Sequence, residues 1–242
     1  MTSENIQVYI VGAGPGDPAL LTLKAFRLIS EWAEMVVYDR LIPDEILDLI
    51  PSHVERIYAG KSCKKHHMTQ DEINEELVKQ AKLGKKTVRL KGGDPFIFGR
   101  GGEEIQHLAG NGISFEVVPG ISAASGIMSK LGVPMTHRGI ANSVSFITGH
   151  QQKGESQEPD WKGLAREDNT IIIYMGLTNL DYITSKLIES GLSEKTPAMA
   201  IQEGLMKGEK IIKSDLQNIA AQADAENLKP PTIIIIGKVA AL

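Results

Sequence analysis

Two glycine-rich stretches, each directly after a short apolar run, constrain this chain more than any other feature. The first is Val8–Asp17, VYIVGAGPGD, and the second is Arg89–Glu104, RLKGGDPFIFGRGGEE. An apolar run closed by glycine reads as a strand entering a tight turn, and glycine lets the backbone approach a ligand closely. Two such turns in one half of the chain point to one shared pocket for a nucleotide-like ligand. No Gly-Lys-Ser/Thr closes either turn, so neither is a P-loop. Gly12 and Gly14 fit the start of G-x-G-x-x-G, but Asp17 stands where the third glycine belongs. Pro15 has a fixed φ and no N–H, which argues against a backbone cradle for pyrophosphate. The expected ligand carries adenosine without a diphosphate.

The rest of the chain alternates. Strand-length apolar runs recur at Ile6–Val11, Met35–Tyr38, Val54–Ala59, Thr87–Leu90 and Phe115–Val118. Amphipathic stretches lie between most of them. Pro18–Glu31 has a broad apolar face, and Thr69–Leu83 opens with the capping-box pattern Thr69-x-x-Glu72 and ends at Gly84. This order implies an α/β fold with a mostly parallel N-terminal sheet and flanking helices. A second series follows: Val144–Thr148, Thr170–Met175, Ala198–Ile201, Lys210–Lys213 and Thr232–Ile236. Two of these runs are closely spaced, so a mixed sheet is expected there. Ser214-x-x-Gln217 reads as a helix start. The Pro- and Gly-bearing stretch Gly132–Asn142 suggests a boundary, giving domains 1–137 and 138–242. The polar tract Gln151–Asp160 reads as a mobile surface loop.

Composition narrows the function. Cys63 is the only cysteine, so an intrachain disulfide and a thiolate-rich metal site are excluded. A net charge of -4 gives no reason to expect nucleic acid or an anionic membrane as partner. No run approaches the ~20 apolar residues of a membrane span, and the N-terminus lacks the pattern of a signal peptide. A cytoplasmic protein is expected, with no metal.

In open parallel sheets ligands bind beyond the carboxyl ends of the strands. Asp39, after MVVY, stands where an acid holds the ribose in dinucleotide-binding proteins, and it could equally cap the next turn. Lys61 lies in GKSCKKHHM, residues 60–68. That basic loop reads as a solvated charge run, as a metal site through Cys63, His66 and His67, which adjacent histidines disfavour, or as an anion-binding loop. With Arg40, Lys91, Arg100, His137 and Arg138 it could surround a polyanionic substrate. Asp94 is a turn residue or a partner for ribose hydroxyls. Ser122 and Ala123 either pack tightly or meet an adenosine edge. Met175 reads first as a core residue.

The ordered set GAGPGD, VVYDRL, YAGKS, RLKGGDPFIFGRGGEE, VVPGISAASG, PMTHR, ITGH and YMGL closely resembles the uroporphyrinogen-III C-methyltransferases of the tetrapyrrole methylase superfamily, over nearly the whole length. The resemblance implies a two-domain homodimer that binds S-adenosyl-methionine between its domains and releases S-adenosyl-homocysteine. It implies transfer of two methyl groups to uroporphyrinogen III, giving precorrin-2 by way of precorrin-1, for sirohaem and cobalamin synthesis. The chain carries no dehydrogenase–chelatase module, so precorrin-2 is the expected product. Carried over by motif, the cofactor contacts are Pro15, Gly92, Gly93, Asp94, Ile97, Ser122, Ala123, Met175 and Gly204. Asp39 and Lys61 are the implied acid/base pair. Arg40, Lys64, Lys65, Arg100, His137 and Arg138 would face the substrate's carboxylates. The alternatives are a later-stage precorrin methylase, a nicotinamide-dependent oxidoreductase using Gly12, Gly14 and Asp39, and a non-catalytic tetrapyrrole carrier.

Overall fold

The computed structural model describes residues 6–60, 68–149 and 158–242. It divides into two compact units, Met1–Ala123 and Ala124–Leu242. The division falls earlier than the 137/138 boundary that the Pro- and Gly-bearing stretch suggested. That stretch lies inside the second unit, where His137 and Ala141 form an isolated bridge.

The first unit runs β1 (Val8–Gly12), α1 (Leu23–Arg27), β2 (Met35–Tyr38), α2 (Asp44–Leu47), β3 (Glu55–Tyr58), α3 (Gln70–Lys82), β4 (Thr87–Lys91), α4 (Gly101–Gly110) and β5 (Phe115–Val118). The strands form one sheet in the order β3-β2-β4-β1-β5, and every recorded pairing is parallel. Strand alternation sends Tyr9, Val11, Val36, Val88 and Leu90 to a core shared with Ala25, Ile42 and Ile46. It sends Val8, Ile10, Met35 and Val37 to a second core shared with Ile73 and Leu77 of α3 and Leu108 of α4. Both faces are covered, as a parallel sheet requires.

The capping box of α3 is present in both directions: Thr69 Oγ1 accepts from Glu72 N at 3.2 Å, and Glu72 Oε2 accepts from Thr69 N at 2.6 Å. Pro18–Glu31 departs from the single helix expected. A short turn at Pro18–Leu20 ends at an extended Leu21, then Thr22 caps α1 through a bond from Ala25 N, and Leu28–Trp32 widens into a π turn. The hydroxyl of Thr22 offers the backbone a second start, which the apolar pattern does not register.

In chain order the next helix is α5 (Ala123–Leu131), followed by β6 (Ser143–Thr148), α6 (Trp161–Leu164), β7 (Asn169–Tyr174), α7 (Leu180–Glu189), β8 (Pro197–Gln202), β9 (Lys210–Asp215), α8 (Ile219–Ala225) and β10 (Thr232–Ile236). The second sheet has the order β6-β7-β10-β8-β9. β6 and β7 are parallel, and β10 is antiparallel to β7 and β8, so the sheet is mixed as expected. Ser214 does not start a helix. It lies in β9, opposite Ala198. Asp215 makes the turn instead, its Oδ1 accepting from the backbone N–H of Asn218 at 3.1 Å ahead of α8.

Candidate functional site

At the carboxyl edge of the first sheet, three glycine turns meet. The chain leaving β1 heads for β2, and the chain leaving β4 heads for β5 on the other side. Between strands that part in this way, an open sheet has its ligand crevice. Gly14 N donates to Gly93 O at 3.2 Å and Gly93 N to Gly14 O at 2.7 Å, so the two glycine-rich stretches pair with one another. A Cβ on Gly12 would lie 2.5 Å from Gly120 N and 2.7 Å from Gly93 O. Gly93 itself has φ +68, and a Cβ there would meet only Ala123 N, at 3.7 Å. Backbone is packed tightly behind this turn and space is left in front of it, which fits a ligand that lies against bare peptide. Ser122 and Ala123 follow this edge after β5, and Pro15 sits between Gly14 and Gly16, both at positive φ.

Asp94 behaves first as a turn residue. Its Oδ1 accepts from Phe96 N at 2.8 Å and its Oδ2 from Gly120 N at 3.1 Å, which ties the end of β4 to the end of β5. Ile97 N closes the same turn on Asp94 O at 3.3 Å. Gly92 lies against Leu41, whose Cβ is 3.0 Å from where a Cβ of residue 92 would be.

Asp39 lies just past β2, and its surroundings were not foreseen. Arg89, in the middle of β4 and 1% exposed, donates through Nη2 to Asp39 Oδ1 at 2.7 Å. Its Nε donates to Glu104 Oε1 at 3.0 Å, and its Nη1 reaches Val37 O at 3.4 Å. Lys91, two residues on and therefore on the same sheet face, donates to Glu104 Oε1 at 2.8 Å. Gln70 adds a bond to the same oxygen at 3.3 Å. Glu104, in the first turn of α4, is fully buried, and its Oε2 has no partner among the described residues. Burial pulls the Lys91 ammonium below its ordinary pKa, helped by the nearby Arg89. Burial also pulls on Arg89, but Asp39 and Glu104 outweigh it and hold the guanidinium above its usual value. Lys91 thus belongs to a buried pair. Arg89 and Glu104 were missed. The available signal was an arginine between Val88 and Leu90 in a run that must be buried, since a buried charge requires a partner.

The other basic residues are spread. Arg40 is exposed just after β2. Arg100, in a left-handed conformation at φ 58, forms a two-bond pair with Glu103 at 2.7 and 2.6 Å. That pairing, led by the hydrogen bonds, raises the Arg100 pKa and lowers that of Glu103. His137 and Arg138 are exposed in the second unit, where His137 Nδ1 lies 2.9 Å from Arg138 O. Lys61, Lys64 and Lys65 lie outside the described residues, as does most of the tract 151–160.

In the second unit the carboxyl ends of β6, β7 and β8 share one edge, because β10 runs antiparallel between β7 and β8. Met175 follows β7 with φ +53 and is 54% exposed, so it is not a core residue. Gly204 follows β8 between Glu203 at φ 46 and Leu205 at φ 67. A Cβ on Gly204 would sit 2.5 Å from Cγ1 of Ile127, so close packing on α5 already accounts for this glycine. At the start of α5, Ala124 N donates to Tyr174 Oη at 3.3 Å, at the end of β7. Non-glycine residues in the left-handed region are strained and collect at functional sites. Here Met175, Glu203 and Leu205 follow carboxyl ends of strands, Phe98 and Arg100 lie in the turn ahead of α4, and Asn227 follows α8.

Among the described residues, no group of three or more His, Cys, Asp or Glu is placed to hold a metal ion. Among them, too, no helix is long and apolar enough to cross a membrane.

Comparison with known proteins agrees with the motif resemblance. The sequence model of the Tetrapyrrole (Corrin/Porphyrin) Methylases matches residues 7–220. The chain is 52% identical over 233 residues to a siroheme synthase of Nitrosospira multiformis, covering 96% of this chain and 49% of that protein. The chain spans about half the length of the curated relatives it matches. A crystal structure of uroporphyrin-III C-methyl transferase from Thermus thermophilus, complexed with S-adenyl homocysteine, superposes with a TM-score of 0.80 at 36% identity, covering 96% of this chain and 92% of that one. The native form of the Thermus thermophilus protein gives 0.80 at 38% identity, over 97% and 98%.

Proposed function

This chain belongs to the tetrapyrrole (corrin/porphyrin) methylases, and on that premise we propose that it transfers two methyl groups from S-adenosyl-methionine to uroporphyrinogen III. The product is precorrin-2, by way of precorrin-1. Sirohaem synthesis is the favoured destination, supported by the siroheme synthases among the relatives. On the same reading the protein works as a cytoplasmic homodimer, with no metal.

One observation carries the proposal: Gly12, Gly93 and Gly120 meet at the β1–β4–β5 edge, with Asp39 one strand away, just past the end of β2. When bound, the cofactor supplies an electrophilic methyl group on a sulfonium sulfur. Pro15, Gly92, Gly93, Asp94, Ile97, Ser122, Ala123, Met175 and Gly204 are its contacts in this reading. The positive charge on sulfur is lost as the methyl leaves, so a strong anion against it would favour the ground state. Bare peptide and neutral side chains avoid that penalty, and the glycine turns supply them. Holding the attacking pyrrole carbon in line is then the main contribution. The methylated ring gains positive charge and the macrocycle afterwards loses a proton. The Asp39 carboxylate stabilises that charge or accepts the proton, with Lys61 as its partner. Arg40, Lys64, Lys65, His137 and Arg138 meet the substrate's carboxylates, and Arg100 joins them by exchanging Glu103 for substrate.

Mass spectrometry of the product from uroporphyrinogen III and S-adenosyl-methionine tests this reading. Two added methyl groups are expected. Methylation of a later precorrin alone would identify a different member of the family.

A further inference from the structure

We propose that Arg89 is a positioning residue for Asp39: it holds the carboxylate at the end of β2 in one orientation, and Glu104 and Lys91 hold Arg89 in turn. The inference rests on Asp39 being the group that acts on the macrocycle. An arginine in the central strand of a sheet covered on both faces is an expensive choice, because an apolar residue of like volume serves packing as well or better. Its geometry suggests the reason. The guanidinium presents its donors in a rigid plane, and here three directions of that plane are engaged: Nε on Glu104 Oε1, Nη1 on Val37 O and Nη2 on Asp39 Oδ1. Glu104 is itself pinned by Lys91 at 2.8 Å and Gln70 at 3.3 Å. The fork therefore cannot turn without breaking its bonds to the buried Glu104. Its hold on Asp39 uses Oδ1 alone, and the Asp39 side chain stays 29% exposed. One oxygen is fixed from below while the group remains open at the strand edge.

The test uses the full chain and the variants Asp39→Asn, Arg89→Lys and the double variant Asp39→Asn/Arg89→Lys. A lysine keeps the charge and loses the fork. Turnover and KM for uroporphyrinogen III are measured beside calorimetric affinity for S-adenosyl-homocysteine and the thermal midpoint. Misplacement of a reacting group by about 1 Å can lower rates roughly 10²-fold. Arg89→Lys is expected to lose kcat on that scale with KM and cofactor affinity nearly unchanged. The double variant is expected to be no slower than Asp39→Asn alone, because both changes remove one function. Wild-type kcat in folded Arg89→Lys, beside a slow Asp39→Asn, would overturn the positioning role and leave the Asp39 reading standing. Losses that multiply in the double variant would overturn it too. Wild-type kcat in Asp39→Asn would overturn the Asp39 reading itself, and the inference with it. If Arg89→Lys does not stay folded at the assay temperature, the charge-balanced pair Arg89→Met/Glu104→Gln takes its place, with the same outcomes.

Discussion

The central strand of the first sheet, β4, reads TVRLK, and the central strand of the second, β10, reads TIIII. Both are five residues long and both are buried along their whole length. One carries two cations and the other nothing that ionises. Strand β10 is buried in the simplest way, with Ile234 and Ile236 in a core of Leu180, Ile183, Leu187 and Ile219. Strand β4 is buried only because neighbours bring in the opposite charges, Asp39 from the end of β2 and Glu104 from α4. The contrast teaches where polarity is tolerated in a packed interior: next to the strand ends where the chemistry is proposed, with each cation paired. Packing alone would not ask for it.

The largest effect is expected at Asp39. In Asp39→Asn, kcat is expected to fall about 10²–10⁴-fold while affinity for S-adenosyl-homocysteine stays near wild type. If only cofactor affinity falls, Asp39 is a ribose ligand and the charges in β4 have no catalytic counterpart. Met175→Ala at the second sheet's edge should do the reverse, weakening cofactor binding with little effect on kcat under saturation.

Next in size comes stability. Glu104→Ala leaves two buried cations short of a partner and should cost about 3–5 kcal/mol in denaturant unfolding. Ile234→Ala leaves a cavity and should cost about 2–5 kcal/mol. The two differ in how they are rescued. Adding Lys91→Met should recover part of the loss in Glu104→Ala, since it removes one unpaired charge, and should do nothing for Ile234→Ala. A Glu104→Ala loss below about 1 kcal/mol would mean that the buried charges are not held as described.

A smaller effect separates two glycines. Gly93→Ala has room but a left-handed backbone, so about 1–2 kcal/mol of strain is expected, with weaker S-adenosyl-homocysteine binding in a folded protein. A β-branched Gly93→Val adds to both effects. Gly204→Ala drives a methyl into Ile127 and should cost about 1–3 kcal/mol by overpacking. Unchanged calorimetric affinity in folded Gly93→Ala would remove the GGD turn from the cofactor site.

The smallest effects belong to exposed cations. Arg40→Ala and Arg138→Ala should each raise the substrate KM a few-fold at low salt and less at high salt, in keeping with the ~0–1 kcal/mol of an exposed pair. A double variant with wild-type KM at low salt would exclude them from the substrate site.

Much of this molecule was legible as sequence, and the limits of that reading are physical. Every expected strand is present, because apolar runs closed by Gly, Pro or Asp carry their own boundaries: Met35–Tyr38, Phe115–Val118 and Thr232–Ile236 match to the residue. The capping box of α3 and the strand-end glycines are equally local, since each depends on backbone geometry within a few residues. Local signals misled where two competed, as at Thr22, whose cap divides an apolar stretch, and at Ser214, which joined β9. What local signals do not carry is lateral. The order β3-β2-β4-β1-β5 sets β4 beside β2, and with it Arg89 against Asp39, fifty positions apart in the chain. The packing of α4 on the same face of the sheet sets Lys91 against Glu104. Hydrophobic period and turn chemistry specify which segments become strands. Which strands become neighbours depends on crossovers and on shared cores, and the partner of a buried charge is settled only there.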